Sequence, residues 1–223
     1  MTQLIGENVM PRKKALVVLS SIVFALSACT EVPLKPDTLT QSDLSAENGV
    51  LVGAISRGPA EWLYTTYAVQ FREVGTTEMP ETYVQMSSKS FFYLGDPKFD
   101  DDFASDESSG AIFAYVLPPG EYEFYQYYLH RGTGVGWVEF RSHDDFSIKF
   151  AIEPGRITYV GEFRADPVNG KNMFGIFVPA GIDLTLHNAQ QRDLSILAAK
   201  YPNLDISNVI LAREVECEII YSC

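Results

Sequence analysis

The residues with the most obvious capacity for chemistry are the carboxylates that crowd residues 96–107 of this 223-residue chain. Hard cations such as calcium bind through several oxygen ligands, so clustered carboxylates are a candidate calcium site. The spacing of an EF-hand loop, with its central glycine and final glutamate, is absent. A solvated loop that its like charges hold open is the alternative interpretation. The candidate ligands are Asp100, Asp101, Asp102 and Asp106.

A dense aromatic segment is the second candidate for binding. Rings occur at both alternating positions of the strand predicted to begin at Tyr122, so they cannot all face one core. Exposed rings would suit docking a partner protein or stacking on sugars. A neighbouring loop or helix that covers the second face is the alternative. The residues chosen as the possible contact surface are Tyr125, Tyr127 and Trp137.

Three further patterns contain residue types found in enzymes, but their spacing does not match that of a catalytic triad, a phosphate-binding loop or a metal site. Ser142, His143 and Asp144 are the residue types of a catalytic triad, yet adjacency in sequence is not the geometry that a triad needs. The glycine-rich residues 132–136 precede a strand-like segment, whereas phosphate binding needs a helix to begin there. The histidines lack metal-ligand spacing. We therefore expect no enzyme active site and no cofactor.

The elements that would position these residues are mostly strands. Hydrophobic residues alternate with polar ones in residues 65–72, 146–153, 157–164 and 182–187, which is typical of strands with one buried face. Pro-Gly turns at residues 118–120 and 154–155 and an Asn-Gly turn at 169–170 are expected to join antiparallel neighbours. Further strand candidates are residues 50–55, 85–94, 111–117, 122–129, 137–140, 173–178 and 214–220.

One helix is predicted near the end of the chain, over residues 189–201. Asn188 is a suitable N-cap with Gln191 as its capping-box partner, and Pro202 ends the helix. Many short strands and one late helix predict a mainly β fold, an antiparallel β-sandwich with one C-terminal helix. The helix is expected to pack on a sheet edge or across one end through its apolar residues Leu194, Leu197, Ala198 and Tyr201.

Two segments centred on turns carry a resemblance to a known group of folds. Residues 117–122 read Leu-Pro-Pro-Gly-Glu-Tyr, and residues 150–162 read Phe-Ala-Ile-Glu-Pro-Gly-Arg-Ile-Thr-Tyr-Val-Gly-Glu. This pair resembles the transthyretin-like and carboxypeptidase-regulatory-like sandwiches, and bacterial lipoproteins that carry such a domain. The resemblance implies an immunoglobulin-like or transthyretin-like sandwich of about seven to nine strands. It implies no catalytic residues.

The N-terminal region has the three-part pattern of a secretory signal. Basic residues 12–14 precede an apolar run over residues 15–26, which at about 12 residues is too short to span a membrane. Leu26-Ser27-Ala28-Cys29 then resembles the lipobox of bacterial lipoproteins. The resemblance implies that Cys29 is lipidated and that its acyl chains hold the protein in a membrane. By the same resemblance, Thr30 favours the outer membrane of a two-membrane bacterium, with the protein facing the periplasm.

These features predict three parts in the chain. Residues 1–28 are an N-terminal extension with a lipoprotein signal peptide, and residues 29–48 are a lipidated tether rich in Thr, Ser, Asp and Pro. Residues 49–223 form a single sandwich domain.

Two cysteines remain once Cys29 is lipidated, and an even remainder in an oxidising compartment predicts a disulfide between Cys217 and Cys223. An extended strand would separate positions six apart by about 20 Å. The bridge therefore requires the chain to turn back after Ile219.

The chain is acidic, with a formal net charge of −12, which disfavours nucleic acid as a partner. These observations together predict a membrane-anchored, non-enzymatic envelope lipoprotein that binds another envelope component, in the first instance a protein. The expected contact surfaces are the aromatic segment and the acidic stretch. A carbohydrate-binding or small-ligand-binding module is one alternative, and a hydrolase whose carboxylates converge only in the folded chain is another.

Overall fold

A computed structural model describes residues 38–60, 63–76, 82–89, 97–132, 136–213 and 217–221, with the backbone alone for Cys217 and Tyr221. The described chain contains twelve strands, one α-helix and two short 3-10 helices. The strands are β1 Gly49–Arg57, β2 Thr66–Glu73, β3 Tyr83–Ser87, β4 Phe103–Ala104, β5 Ser109–Leu117, β6 Gly120–Gly132, β7 Trp137–Arg141, β8 Ile148–Ile152, β9 Ile157–Lys171, β10 Phe177–His187, β11 Val209–Leu211 and β12 Cys217–Tyr221. The α-helix, α1, is Gln190–Lys200, and the 3-10 helices are Gln41–Asp43 and Ile206–Asn208.

The strands form two sheets, which confirms the predicted mainly β sandwich. The seven-stranded sheet has the order β12-β10-β9-β1-β5-β4, with β11 beside β9. The five-stranded sheet has the order β3-β2-β6-β7, with β8 beside β6. Most neighbours are antiparallel, as expected, but β9 runs parallel to both β1 and β11.

The main core lies between the two sheets and is rich in aromatic rings. Phe71 on β2 lies at its centre. Ring centroids of four other residues lie 5.6 to 6.4 Å from that of Phe71, mostly edge to face, which is the favoured geometry for aromatic pairs. These four rings belong to Tyr115, Tyr122, Phe124 and Phe150.

A second apolar cluster lies on the outer face of the seven-stranded sheet, where α1 packs. Leu197 of α1 is fully buried there against β1, whose nine residues are all buried. The predicted position of the helix, at a sheet edge or end, is therefore wrong. The reason is that β1 is apolar on both faces, so its outer side chains Val50, Val52 and Ala54 need a cover.

The start of α1 differs slightly from the prediction. Ala189 takes the N-cap position, and the expected capping box between Asn188 and Gln191 is not formed. Instead, the side-chain oxygen of Asn188 accepts a hydrogen bond from the backbone N–H of Gln190 at 3.1 Å.

The folded domain includes residues that precede its predicted start at Gly49. Leu39 is only 2% exposed and belongs to the cluster beneath α1. The side-chain oxygen of Gln41 accepts a hydrogen bond from the backbone of Asp205 at 3.0 Å. Residues from Leu39 onward thus belong to the folded domain. Among the described residues, no helix is both long and apolar enough to cross a membrane.

Candidate functional site

The aromatic segment of β6 contains a β-bulge that explains why rings occur in both alternating positions. The register between β2 and β6 shifts between Gln70 and Phe71, which leaves Tyr125 as the extra residue of β6. A bulge inserts one residue and so reverses which positions face the core. Tyr122 and Phe124 before the bulge and Tyr127 after it therefore all point into the same core.

Two of the three predicted aromatic contact residues are consequently buried. Tyr127 lies in the main core, and Tyr125 is covered by the guanidinium of Arg72, which lies 4.2 Å from the ring centroid. Burial raises the pKa of Tyr125. The prediction that these two rings offer a contact surface is wrong, whereas Trp137 is 71% exposed.

Three aromatic side chains lie on the outer face of the five-stranded sheet, which we call the aromatic face: Tyr83, Tyr128 and Trp137. Tyr128 is half-buried, its hydroxyl donates to Glu139 at 3.1 Å, and Arg141 lies 5.2 Å from its ring centroid. Tyr83, on β3, is 39% exposed. Strand alternation places Trp137 on the same face as Glu139 and Arg141.

The candidate calcium ligands do not converge in the structure. Asp101 makes two hydrogen bonds of 2.8 Å to Arg57, whereas Asp102 binds Lys200 at 2.8 and 2.9 Å. Asp100 pairs with Lys89, and Asp106 is exposed. Within the described ranges, no group of three or more Asp, Glu, His and Cys side chains could hold a metal ion. The alternative of an open, solvated loop is also wrong for Asp101 and Asp102, since both bind cationic side chains.

Two buried carboxylates do meet beneath α1, at Arg192. Asp193 accepts from Arg192 through one oxygen at 2.6 Å and from the Tyr159 hydroxyl through the other at 2.7 Å. Glu162 accepts from Ser56 at 2.5 Å and lies 3.1 Å from Arg192. Every carboxylate oxygen of the pair thus has an intramolecular partner. The cluster fastens α1 to the sheet.

The strands β9 and β10 extend beyond their neighbours as a two-stranded ribbon. The pairing of β1 with β9 ends at Ala165, and β12 pairs with β10 only from Leu184 to His187. Residues 167–171 and 177–182 therefore pair with each other alone among the described strands. This ribbon had been predicted as a hairpin that turns at Asn169-Gly170.

The observed turn comes later, at residues 172–176, so the predicted position is wrong. Asn169 and Gly170 are ordinary ladder residues opposite β10. The side-chain oxygen of Asn172 accepts from the backbone N–H groups of Phe174 and Ile176 at 3.0 and 3.1 Å. Gly175, at φ +75°, supplies the left-handed conformation that the turn needs. The asparagine side chain thus fixes the loop at this position.

Four large apolar side chains project from this turn, and we call them the ribbon tip: Met173, Phe174, Ile176 and Phe177. Their exposed fractions are 90%, 79%, 59% and 44%. Lys171 is the only charged residue in residues 167–181, although 21% of the chain is charged. The ammonium group of Lys171 lies 4.9 Å from the ring centroid of Phe177. Large exposed apolar groups with few neighbouring charges are typical of interaction sites.

A buried tyrosine fixes the base of the ribbon. The hydroxyl of Tyr64 donates to the carbonyl oxygen of Gly181 at 3.2 Å and accepts from its N–H at 2.9 Å. The ring is fully buried and packs edge to face against Tyr67 and Phe140 at 5.8 and 5.6 Å. The base of the ribbon is therefore held by the packing and hydrogen bonds of Tyr64, and its turn is held by the hydrogen bonds of Asn172.

The ribbon tip is not among the predicted sites, although the sequence contains a signal for it. Residues 173–178 were interpreted only as a strand. Met173 and Phe174 are adjacent apolar residues, and so are Ile176 and Phe177, with Gly175 between them. A strand with one buried face would alternate apolar and polar residues, so this pattern points to apolar groups on both faces of a turn.

The remaining predicted residues are separated or lie outside the described residues. Ser142 is buried, whereas His143 and Asp144 are exposed and lie 3.3 Å apart, so the structure does not bring the serine together with the other two as a triad. The lipobox with Cys29 lies in residues 1–37, and Cys223 and the side chain of Cys217 are also outside the described part. Lipidation and the disulfide therefore stay predictions.

Comparisons with known proteins do not assign this chain to a family. No protein-family profile and no curated protein sequence matches this chain. A leucine-rich repeat protein from Bacteroides thetaiotaomicron VPI-5482 is a similar solved structure at 15% identity and a TM-score of 0.29. The match covers 52% of this chain and 14% of that protein, and at this level it carries no argument about fold or function.

Proposed function

We propose that this protein is a lipid-anchored, non-enzymatic component of the bacterial cell envelope that binds another envelope component through the ribbon tip. The observation that carries the proposal is the exposure of Met173, Phe174, Ile176 and Phe177 on a turn held by hydrogen bonds. The lipid anchor rests on the resemblance of residues 26–29 to a lipobox.

The energetics favour a binding role for the ribbon tip. Moving one large apolar side chain from water to an apolar site is favourable by about 1.5–3 kcal/mol. Burial of these four side chains against the surface of a partner would therefore contribute favourably to the free energy of binding. Because the Asn172 side chain already fixes the turn, little backbone freedom is lost on binding.

In-cell crosslinking of the full-length, tagged chain tests this function. We expect reproducible crosslinked adducts with an envelope component in the wild type and a loss of these adducts in the Met173→Ser, Phe174→Ser double variant. Val74→Ser is the matched control, because Val74 is an exposed apolar residue at the end of β2. Adducts that survive the double variant unchanged would exclude the ribbon tip as the binding surface.

The aromatic face favours a second function, a carbohydrate-binding surface. Trp137 and Tyr83 offer exposed rings for stacking, and Gln85 and Glu139 on the same face offer hydrogen-bonding groups. Isothermal titration with soluble cell-wall glycans would detect such binding, and Trp137→Ala should abolish it while Val74→Ala leaves it intact. Absence of binding in the wild type would remove this function.

A further inference from the structure

The position of the ribbon tip relative to the membrane anchor limits what it can bind, provided that the proposed function holds. The first described residues lie near the start of β9. Asp205, which binds Gln41, lies just before β11, and Val209 of β11 pairs with Ile157, the first residue of β9. Val50 of β1 pairs with the same residue.

The ribbon tip lies at the opposite end of β9. This strand has 15 residues, which at about 3.3 Å per residue gives a length of about 45 Å. The nine residues between Cys29 and Leu39 span at most about 35 Å when fully extended. A lipid at Cys29 would therefore limit Leu39 to within about 35 Å of the membrane surface, while the tip lies at the far end of β9.

The negative net charge of the chain opposes contact between the domain and the membrane that anchors it. The chain has a net charge of −12, and acidic proteins are repelled by anionic headgroups. The ribbon contributes only Lys171 as a basic group, whereas recruitment to anionic lipid requires clusters of basic residues. These charges favour a domain that stands with the ribbon tip away from the anchoring membrane.

The ribbon edges indicate how the contact is made. Each ribbon strand contains a proline, Pro167 in β9 and Pro179 in β10. Proline has no N–H group, and its presence at an edge opposes pairing with an added strand. The side chains of the tip, rather than the backbone of the ribbon, are therefore the groups available for recognition.

We infer that the ribbon tip inserts into an apolar pocket of a second envelope protein located away from the anchoring membrane. The tip supplies the apolar side chains, and the partner adds no strand to the ribbon. This inference deepens the proposed function, since it depends on the tip being the binding surface.

A photo-crosslinking amino acid at position 174 of the full-length chain tests the inference in living cells. We expect it to trap one distinct protein, with the same probe at position 74 as the control. Changing Met173, which is 90% exposed, to Ser in the probe-bearing chain should lower the yield about 10-fold to 100-fold, the loss expected when one exposed large apolar side chain is no longer buried by the partner.

A vesicle experiment shows whether the ribbon tip binds lipid instead of a protein. The full chain with Cys29→Ser, incubated with vesicles of phosphatidylethanolamine and phosphatidylglycerol, should float to the same extent with and without Phe174→Ser. Flotation that Phe174→Ser removes, or photo-adducts with lipid alone, would overturn the pocket inference and leave the proposed function standing. A crosslink between two copies of this chain would also overturn it. Absence of any contact that depends on the tip would contradict both proposals.

Discussion

Asp193 illustrates how a buried charge is accommodated at the scale of single residues. Its oxygens are held by Tyr159 and Arg192, yet its pKa is raised, because burial disfavours the charged carboxylate more than these partners favour it. The negative charge of Glu162 acts in the same direction. Removing a partner while the charge remains buried is the costly change in such a cluster.

The raised pKa of Asp193 predicts a specific pH dependence of stability. A folded-state pKa above the ordinary value of 3.8 means that folding favours the protonated form. This contribution to the free energy of unfolding is complete below pH 3.8 and is lost as the pH rises through the folded-state pKa. We therefore expect the stability of wild type relative to Asp193→Asn, measured by urea unfolding, to fall as the pH rises.

Asp205 provides a control of opposite sign. The hydrogen bonds of Asp205 with Ser207 lower the pKa of its carboxyl group. The contribution of Asp205 to the free energy of unfolding is thus present above the ordinary pKa of the carboxyl group. It is lost as the pH falls through the lowered pKa of the folded state. The stability of wild type relative to Asp205→Asn should rise with pH. Equal slopes for the two variants would contradict this assignment.

The Tyr64 hydroxyl gives a second residue-scale prediction. Tyr64→Phe removes the group that both donates to and accepts from Gly181, so we expect a loss of about 1–3 kcal/mol in the free energy of unfolding. Tyr128→Phe is the control, because its hydroxyl bonds Glu139 at an exposed position and its loss should cost about 0.5 kcal/mol or less. Denaturant unfolding of both variants measures the difference, and equal costs would contradict the role of Tyr64.

At the scale of elements, α1 is a cover for the outer face of the seven-stranded sheet. Leu197→Ala should cost about 2–5 kcal/mol, because it leaves a cavity over β1. Ser195→Ala on the exposed side of the same helix should cost about 0.5 kcal/mol or less. Thermal or denaturant unfolding gives both values, and a small effect at Leu197 would mean that the sheet face does not depend on α1.

Most strands and α1 could be predicted from the sequence, because an element with one buried face has apolar residues at regular intervals. The bulge at Tyr125 could not, since one inserted residue changes the phase without any change in composition. The parallel pairing of β9 with β1 depends on contacts between distant parts of the chain. The turn position was missed because Asn169-Gly170 is the commoner turn signal, whereas the Asn172 side chain decides the outcome.

At the scale of the whole molecule, the first described residues lie near the start of β9, and the ribbon tip lies at the far end of that strand. Cys29→Ser should prevent labelling with a fatty acid and shift the protein from the membrane to the soluble fraction, because the acyl chains supply the anchoring free energy. Cys217→Ser is the matched control and should leave labelling unchanged. Labelling that persists in Cys29→Ser would contradict the lipobox interpretation.

A photo-crosslinking scan over the molecular surface in living cells tests the central claim most directly. Probes at the four tip positions would be compared with probes at Trp137 on the aromatic face, at Asp106 in the acidic stretch and at Val74. We expect adducts at the tip positions and only background levels at the other three. Adducts that concentrate at Trp137 or Asp106 while the tip stays at background would contradict it.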